Sequence, residues 1–290
     1  MDRVIDSTKD ESTKLSMMVY TMIPAATEDS TYMRKLFGQF QKTFLKSYPE
    51  NEATLKGLVS VLDMYAAGNI EPIPNVLDSV CKRQNRSNPK ATCYIDYFWL
   101  NVRNIIHEEY EHPFLDSLFL ACVRNTEKEN LPCLTSLAFF SRGNLMSSHE
   151  NKPDYAGDHN EKYELLDSAA QYARLDGNEI LRMKILAAHG RFAGLEGKFR
   201  KCQEYCLEAL RLATHYKDSS TLAITYTMIG IVNLEMKNYK ESERYSLLNY
   251  DLALGLGDYP RIATACGRLM ELYDAIGDTA KALFYGRLSV

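Results

Sequence analysis

The chain has 290 residues, 46% hydrophobic and 25% charged, the balance of an ordinary folded domain whose length allows one solenoid or two domains. A formal net charge of −4 argues against a general nucleic-acid binder, which neutralises phosphates with a broad basic face. Nine prolines and fifteen glycines leave room for long uninterrupted helices.

The first residues, MDRVIDSTKDESTK, carry charge of both signs. The apolar piece after them, LSMMVYTMIPAA, is too short to span a bilayer and follows no basic run, so neither a targeting nor a membrane segment is expected. Residues 1–30 are expected to be irregular or poorly ordered. Helices are expected over 31–48, 51–68, 73–84, 89–110, 113–126 and 131–148, a divergent helical region in which prolines 72, 74, 89, 113 and 132 stand at or near helix starts, where a missing amide costs little. No stretch alternates long enough to compete as a strand. Tyr94, Tyr97, Phe98 and Trp99 are dense enough to suggest a ligand pocket, and a helix buried on most sides explains them more simply. The segment 147–160, SSHENKPDYAGDHN, is the most polar and is expected to be a hinge or an enlarged turn.

The residues from 149 to 290 are different in kind, because they repeat. In YDAIGDTAKALFY, residues 273–285, Gly277 supplies a left-handed helix end and Asp278 an N-cap for the next helix. Stepping back by 40 from Tyr285 gives Tyr245 and Tyr205; Ala253 answers Ala213 and Ala173, and Ala263 answers Ala223. Three units are clear from residue 183 onward, and a looser fourth covers 132–175 through Leu165, Ala169 and Ala173. Each reads as two amphipathic helices: Phe199, Cys202, Tyr205, Cys206, Ala209, Leu210 and Ala213 fall at three- and four-residue spacing. Small residues at 202, 242 and 282 mark close approach within a hairpin. Hairpins of this kind bury their faces only by stacking.

A first helix with a small residue near its middle (Gly190, Gly230), a turn with Gly or Asn, then a small-x-x-Tyr run and a later Ala resembles the tetratricopeptide repeat in its longer variant of about 40 residues. Ala193, Asn233 and Asn249 depart from the pattern, and no unit carries the family's tryptophan or closing proline. The resemblance implies an all-α fold, a right-handed α-solenoid of stacked hairpins, similar to the sensory portions of bacterial regulators. It also implies a concave wall built from the first helix of each unit, which receives a protein or peptide segment. With Met183, Ala223 and Ala263 as the first positions, the inward positions of the family fall on Lys184, Arg191, Thr227, Met228, Ile231, Leu234, Glu235, Arg268, Glu271 and Asp274. Of these only Lys184 suits a clamp for a terminal carboxylate, so such a clamp is not indicated.

Chemistry is sparse. HEEYEH at 107–112 places its histidines five apart, off the spacing that stacks two zinc ligands on one helix face. GRFAGLEGK at 190–198 lacks the first glycine and the Ser or Thr of a phosphate loop. The run from Lys198 to Lys201 is read as a solvated helix start, and the NRS at 85–87 is a glycosylation acceptor only in a secreted chain. Seven cysteines with no C-x-x-C pair suit a reducing compartment, and Cys202 with Cys206 reads as core. The expectation is a non-enzymatic scaffold, cytoplasmic, without cofactor or metal, binding a protein or peptide and no nucleic acid. The alternative is the sensory portion of a larger signalling or transcription regulator, periplasmic if that regulator is membrane-bound; an enzyme with its site in the N-terminal half is a weaker third. The final stripe of Ala282, Leu283, Tyr285 and Leu288 has no polar cap, so the sequence is expected to continue or to self-associate at this end.

Overall fold

The computed structural model describes residues 10–106, 113–149 and 160–289, and these are helical with no strand among them. The chain forms two compact units, one ending at Asn178 and one beginning at Glu179. This division lies 30 residues beyond the 148/149 boundary expected from sequence, because the pair 132–175 packs with the first unit.

The first unit contains α1 (Glu11–Glu28), α2 (Ser30–Ser47), α3 (Glu52–Ala66), α4 (Ile73–Lys82), α5 (Pro89–Ile106), α6 (Pro113–Lys128), α7 (Pro132–His149) and α8 (Glu161–Leu175). Helix α1 occupies a stretch expected to be irregular, which corrects that expectation for residues 11–28. The reason is burial on several sides. Leu15, Met17, Met18, Val19, Met22 and Ile23 are all buried, so the run has no polar face to betray a helical period. It packs on α2, α3, α5 and α7, and its N-cap Asp10 accepts from the Thr13 amide at 2.6 Å.

Helix α5 is buried at every position from Ala91 to Asn104. Its polar groups survive there because they find partners. Trp99 Nε1 donates to Asp78 Oδ1 at 3.0 Å, Tyr97 Oη and Ser141 Oγ lie 3.2 Å apart, and Asp96 accepts from Gln84 at 2.8 Å and from Arg86. The aromatic cluster is therefore core. The HEEYEH sequence, and the polar segment 147–160 over 150–159, lie outside the described residues.

The second unit is three hairpins: α9 (Glu179–Leu195) with α10 (Phe199–Tyr216), α11 (Ser219–Glu235) with α12 (Tyr239–Leu256), and α13 (Tyr259–Ala275) with α14 (Thr279–Leu288). First helices begin at 179, 219 and 259 and second helices at 199, 239 and 279, so the step of 40 holds residue for residue. Each first helix starts four residues before the position read from the sequence, since Asp218 and Asp258 cap the second and third of them by accepting from the amides of Thr221 and Arg261.

The ends of helices α8 to α13 share one device. Left-handed residues stand at Gly177, Gly197, Lys217, Lys237, Gly257 and Gly277, a constant interval of 20. After each, the next amide reaches back to a carbonyl five residues earlier: Asn178 to Ala173, Lys198 to Ala193, Asp218 to Ala213, Asn238 to Asn233, Asp258 to Ala253 and Asp278 to Tyr273, at 2.7 to 3.1 Å. These bonds satisfy carbonyls that a helix end otherwise leaves open.

Within the hairpins, small residues set the spacing. A Cβ built on Gly190 would lie 2.4 Å from Sγ of Cys206, and one on Gly230 would lie 3.0 Å from Oγ of Ser246. Ser242 Oγ donates to the Gly230 carbonyl at 2.9 Å. Cys202 and Cys206 are fully buried against Met228, Ile229 and Val232, so they are core as expected. The two asparagines that depart from the repeat pattern are held in the interior: Asn233 Nδ2 donates to the Ile229 carbonyl at 2.8 Å, and Asn249 Nδ2 to Thr227 Oγ1 at 3.1 Å.

Candidate functional site

Helix α11, SSTLAITYTMIGIVNLE, carries no charge before Glu235. One face, with Ile229 and Val232, packs into the core. The other presents Ala223, Ile224, Thr227, Met228 and Ile231, spaced by three and four and hence aligned along one side. This side floors a hollow of about 380 Å³. Arg191 and Leu195 of α9 wall it on one side and Arg261 and Arg268 of α13 on the other. Every lining residue comes from the first helix of a hairpin.

The floor is apolar and the walls are cationic. Thr227 Oγ1 donates to the Ala223 carbonyl at 2.8 Å, and Asn249 donates to it from α12, which fixes its rotamer. Arg261 Nε donates to Asp258 Oδ2 at 2.8 Å, and Arg268 donates through one terminal nitrogen to Glu271 at 2.6 Å. The Arg191 guanidinium lies 4.9 Å from the Phe192 ring centre, and burial draws its pKa below the ordinary arginine value.

Of the ten residues read as inward-facing, five meet in this hollow: Arg191, Thr227, Met228, Ile231 and Arg268. Met228 is buried and shared with the core. Glu271 and Asp274 instead line a second hollow of about 730 Å³ between α13 and α14, with Met270, Leu283 and Arg287. Leu234 is half-buried and Glu235 exposed at the end of α11, and neither lines these hollows. Lys184 Nζ lies 3.6 Å from Asp218 Oδ2, with both side chains largely buried, so it braces α9 against the start of α11. Burial alone would raise the Asp218 carboxyl; the Lys184 charge and the bonds from Thr221 outweigh it and hold the pKa below the usual aspartate value. Ala223, Ile224, Leu195 and Arg261 are not among the residues expected from sequence. The signal that could have found the floor is the missing charge in α11, since a helix apolar all round has a second face to account for.

The last hairpin is open. Ala282 is buried and Tyr285 stacks on Tyr273 at 5.6 Å, whereas Leu283 and Phe284 are 60% and 58% exposed. Among the described residues no helix is long and apolar enough to cross a membrane, and no group of three His, Cys, Asp or Glu is placed to hold a metal. All seven cysteines are buried and free.

No family model and no curated protein matches this chain. Solved structures do. One is a Signal Transduction ATPase with Numerous Domains (STAND) protein with a tetratricopeptide repeat sensor, from Pyrococcus horikoshii, with a TM-score of 0.64 and 17% identity over 97% of this chain. The chain spans 46% of the length of that protein. Another is NprR in complex with its cognate peptide NprX, with a TM-score of 0.51 and 13% identity, covering 93% of this chain and 83% of NprR. At such identities the likeness concerns the fold, and the fold of this chain is a tetratricopeptide-like all-α solenoid of helices packed in consecutive pairs.

Proposed function

We propose that this chain is a non-enzymatic binding module that receives a protein or peptide segment in the hollow of its second unit. The observation that carries this reading is the lining: a mostly apolar floor on α11, with Ile224 exposed and Ile231 half-buried, is bounded by residues of α9 and α13, and all three are first helices of their hairpins. Burying such a floor under a partner's side chains would release roughly 25 cal/mol per Å² of apolar surface, and a groove between helices suits an extended or helical peptide. The likeness to NprR, a structure solved with its cognate peptide, supports it.

A regulatory role within a longer protein is the second reading. It is favoured by the likeness to part of a protein that carries a tetratricopeptide repeat sensor. The two readings agree on the role of the hollow and differ in the consequence of binding.

The test is selection of a random dodecapeptide library on the full chain, with competition mapping of the enriched peptides. These should bind the native chain and lose binding to an Ile231→Lys variant that keeps its helical circular dichroism. Peptides that bind both equally, or a library from which nothing enriches, would remove the hollow from consideration.

A further inference from the structure

We propose that the open groove between α13 and α14 is a second docking site, independent of the hollow floored by α11. Its occupant is an amphipathic helix of a partner protein, carrying a basic residue opposite Asp274.

The repeat sets the shape. Thr279, Ala282 and Gly286 line the groove, and two repeat steps of 40 earlier the same places hold Phe199, Cys202 and Cys206. Those three pack with Met228, Ile229 and Val232 of α11. One step on, Leu247 and Tyr250 of α12 pack with Leu269 and Tyr273 of α13, and Tyr273 Oη donates to Glu243 at 2.6 Å. Each of the first two hairpins thus seats a helix against the same set of positions. In the third, those positions bound a hollow of about 730 Å³. The two filled seats define what fits the third: a helix with an apolar pair three residues apart on one face, as Ile229 with Val232 and Leu269 with Leu272.

The composition of the groove separates a reversible partner from a permanent cover. Asp274 and Arg287 stand where the filled seats have Gly194 and Leu234, and Leu207 and Leu247. Charges at these places are costly under a permanent apolar cover. The centre changes the other way: Met270 replaces Gly190 and Gly230, and Leu283 replaces Gln203 and Glu243. Both are exposed. An apolar centre with a polar rim is the pattern of a contact between separate proteins.

The filled seats also give the place of the basic residue. A Cβ on Gly194 would lie 3.5 Å from Met228 Sδ, so the side chain at the place of Met228 stands over the place of Asp274. Among the described residues Asp274 has no ion-pair partner, and a cation there complements it. In α13 the place of Met228 is held by Arg268. A helix of the α13 sequence, set one seat further on, therefore brings an arginine to Asp274 and Leu269 and Leu272 to the apolar centre, and it supplies a probe.

The experiment titrates the full chain into a fluorescein-labelled peptide of residues 258–276 and reads anisotropy. Binding should be saturable. Leu283→Lys, at an exposed position that leaves the helical circular dichroism intact, should weaken it at least about tenfold. The peptide with Arg268→Glu should bind about fivefold more weakly than the native peptide, and Asp274→Lys in the chain should reverse that order. A merely adhesive apolar surface has no such reversal. Ile231→Lys, which tests the other hollow, should leave this binding unchanged, so the two sites fail separately. No saturable binding up to about 1 mM, or binding indifferent to Leu283→Lys, overturns the docking site. An order of the two peptides that Asp274→Lys does not reverse overturns the basic assignment. Concentration-dependent dimerisation of the chain alone, abolished by Leu283→Lys, would make a second copy the occupant and overturn the assignment to a partner protein.

Discussion

Gly190 and Cys206 occupy one place between α9 and α10, since a methyl group on the glycine would stand 2.4 Å from the cysteine sulfur. The helix itself would gain about 1 kcal/mol from alanine in place of glycine. Overpacking a filled interior costs about 1–3 kcal/mol, and here the backbone amide of Cys206 and carbonyl of Cys202 stand behind the sulfur at 3.3 and 3.4 Å. Gly190→Ala should therefore lower stability by about 1–2 kcal/mol, measured by urea unfolding, and Cys206→Ala in the same chain should restore much of it. Gly230→Ala, whose neighbour is the Ser246 hydroxyl at 3.0 Å, should fall within about 1 kcal/mol of native. Equal losses at the two glycines would show that close approach is not what distinguishes them.

Lys217 and Lys237 hold φ values of +54° and +60°, the conformation their counterparts reach as glycines. A side chain in this region costs roughly 1 kcal/mol. Lys217→Gly and Lys237→Gly should each stabilise the chain by about 0.5 kcal/mol, the gain in the folded state being partly cancelled by the freer unfolded glycine. Gly257→Ala, at φ +65°, should destabilise it by about 1 kcal/mol. Thermal unfolding of the three variants side by side decides the sign, and a loss of stability in both lysine variants would contradict the strain argument.

The Asp218 carboxyl titrates lower in the folded chain than in the unfolded one, with burial opposed and outweighed by Lys184 and the cap bonds. A depressed folded pKa contributes stability that is fully present above the unfolded value and is lost as the pH falls through the folded one. Asp218→Asn should cost about 1 kcal/mol at neutral pH, with the difference from native shrinking below about pH 4. A gap between the two proteins that stayed constant down to about pH 3 would mean that the charge contributes nothing.

How much of the fold and the hollow is legible in the sequence depends on how far each residue's environment is written in its neighbours. Tyr205, Tyr245 and Tyr285 expose the step of 40 because each fills the same half-buried site in its hairpin. The interval of 20 is hidden, because Lys217 and Lys237 stand at two of its six positions and no local rule marks a lysine as left-handed. Helix α1 is illegible since burial on several sides erases the polar face that period-finding needs. The hollow is half legible. Arg191, Thr227, Met228, Ile231 and Arg268 come from the repeat register, and Ile224 shares the register position of Lys184 without having been read as inward, whereas Arg261 is placed by a helix start four residues earlier than the register alone suggests. Lys184 cannot be separated from the hollow in sequence, since its pairing with Asp218 spans two helices.

Leu283 and Phe284 stand 60% and 58% exposed on α14. Side chains already in water contribute little to folding, so Leu283→Gln with Phe284→Gln should shift stability by less than about 0.5 kcal/mol. Solubility should rise as the apolar patch shrinks. A large drop in unfolding temperature would show instead that these residues are packed.

The constant interval between left-handed residues makes the second unit a modular object. Lys217 and Gly257 have nearly the same backbone angles, and each precedes an aspartate that caps the next helix. A chain cut after Lys217 and rejoined at Asp258 would meet no new conformation at the seam. It would lose one whole hairpin and keep every remaining turn. Gene duplication or deletion at these seams would thus change the length of the second unit in whole hairpins of 40 residues.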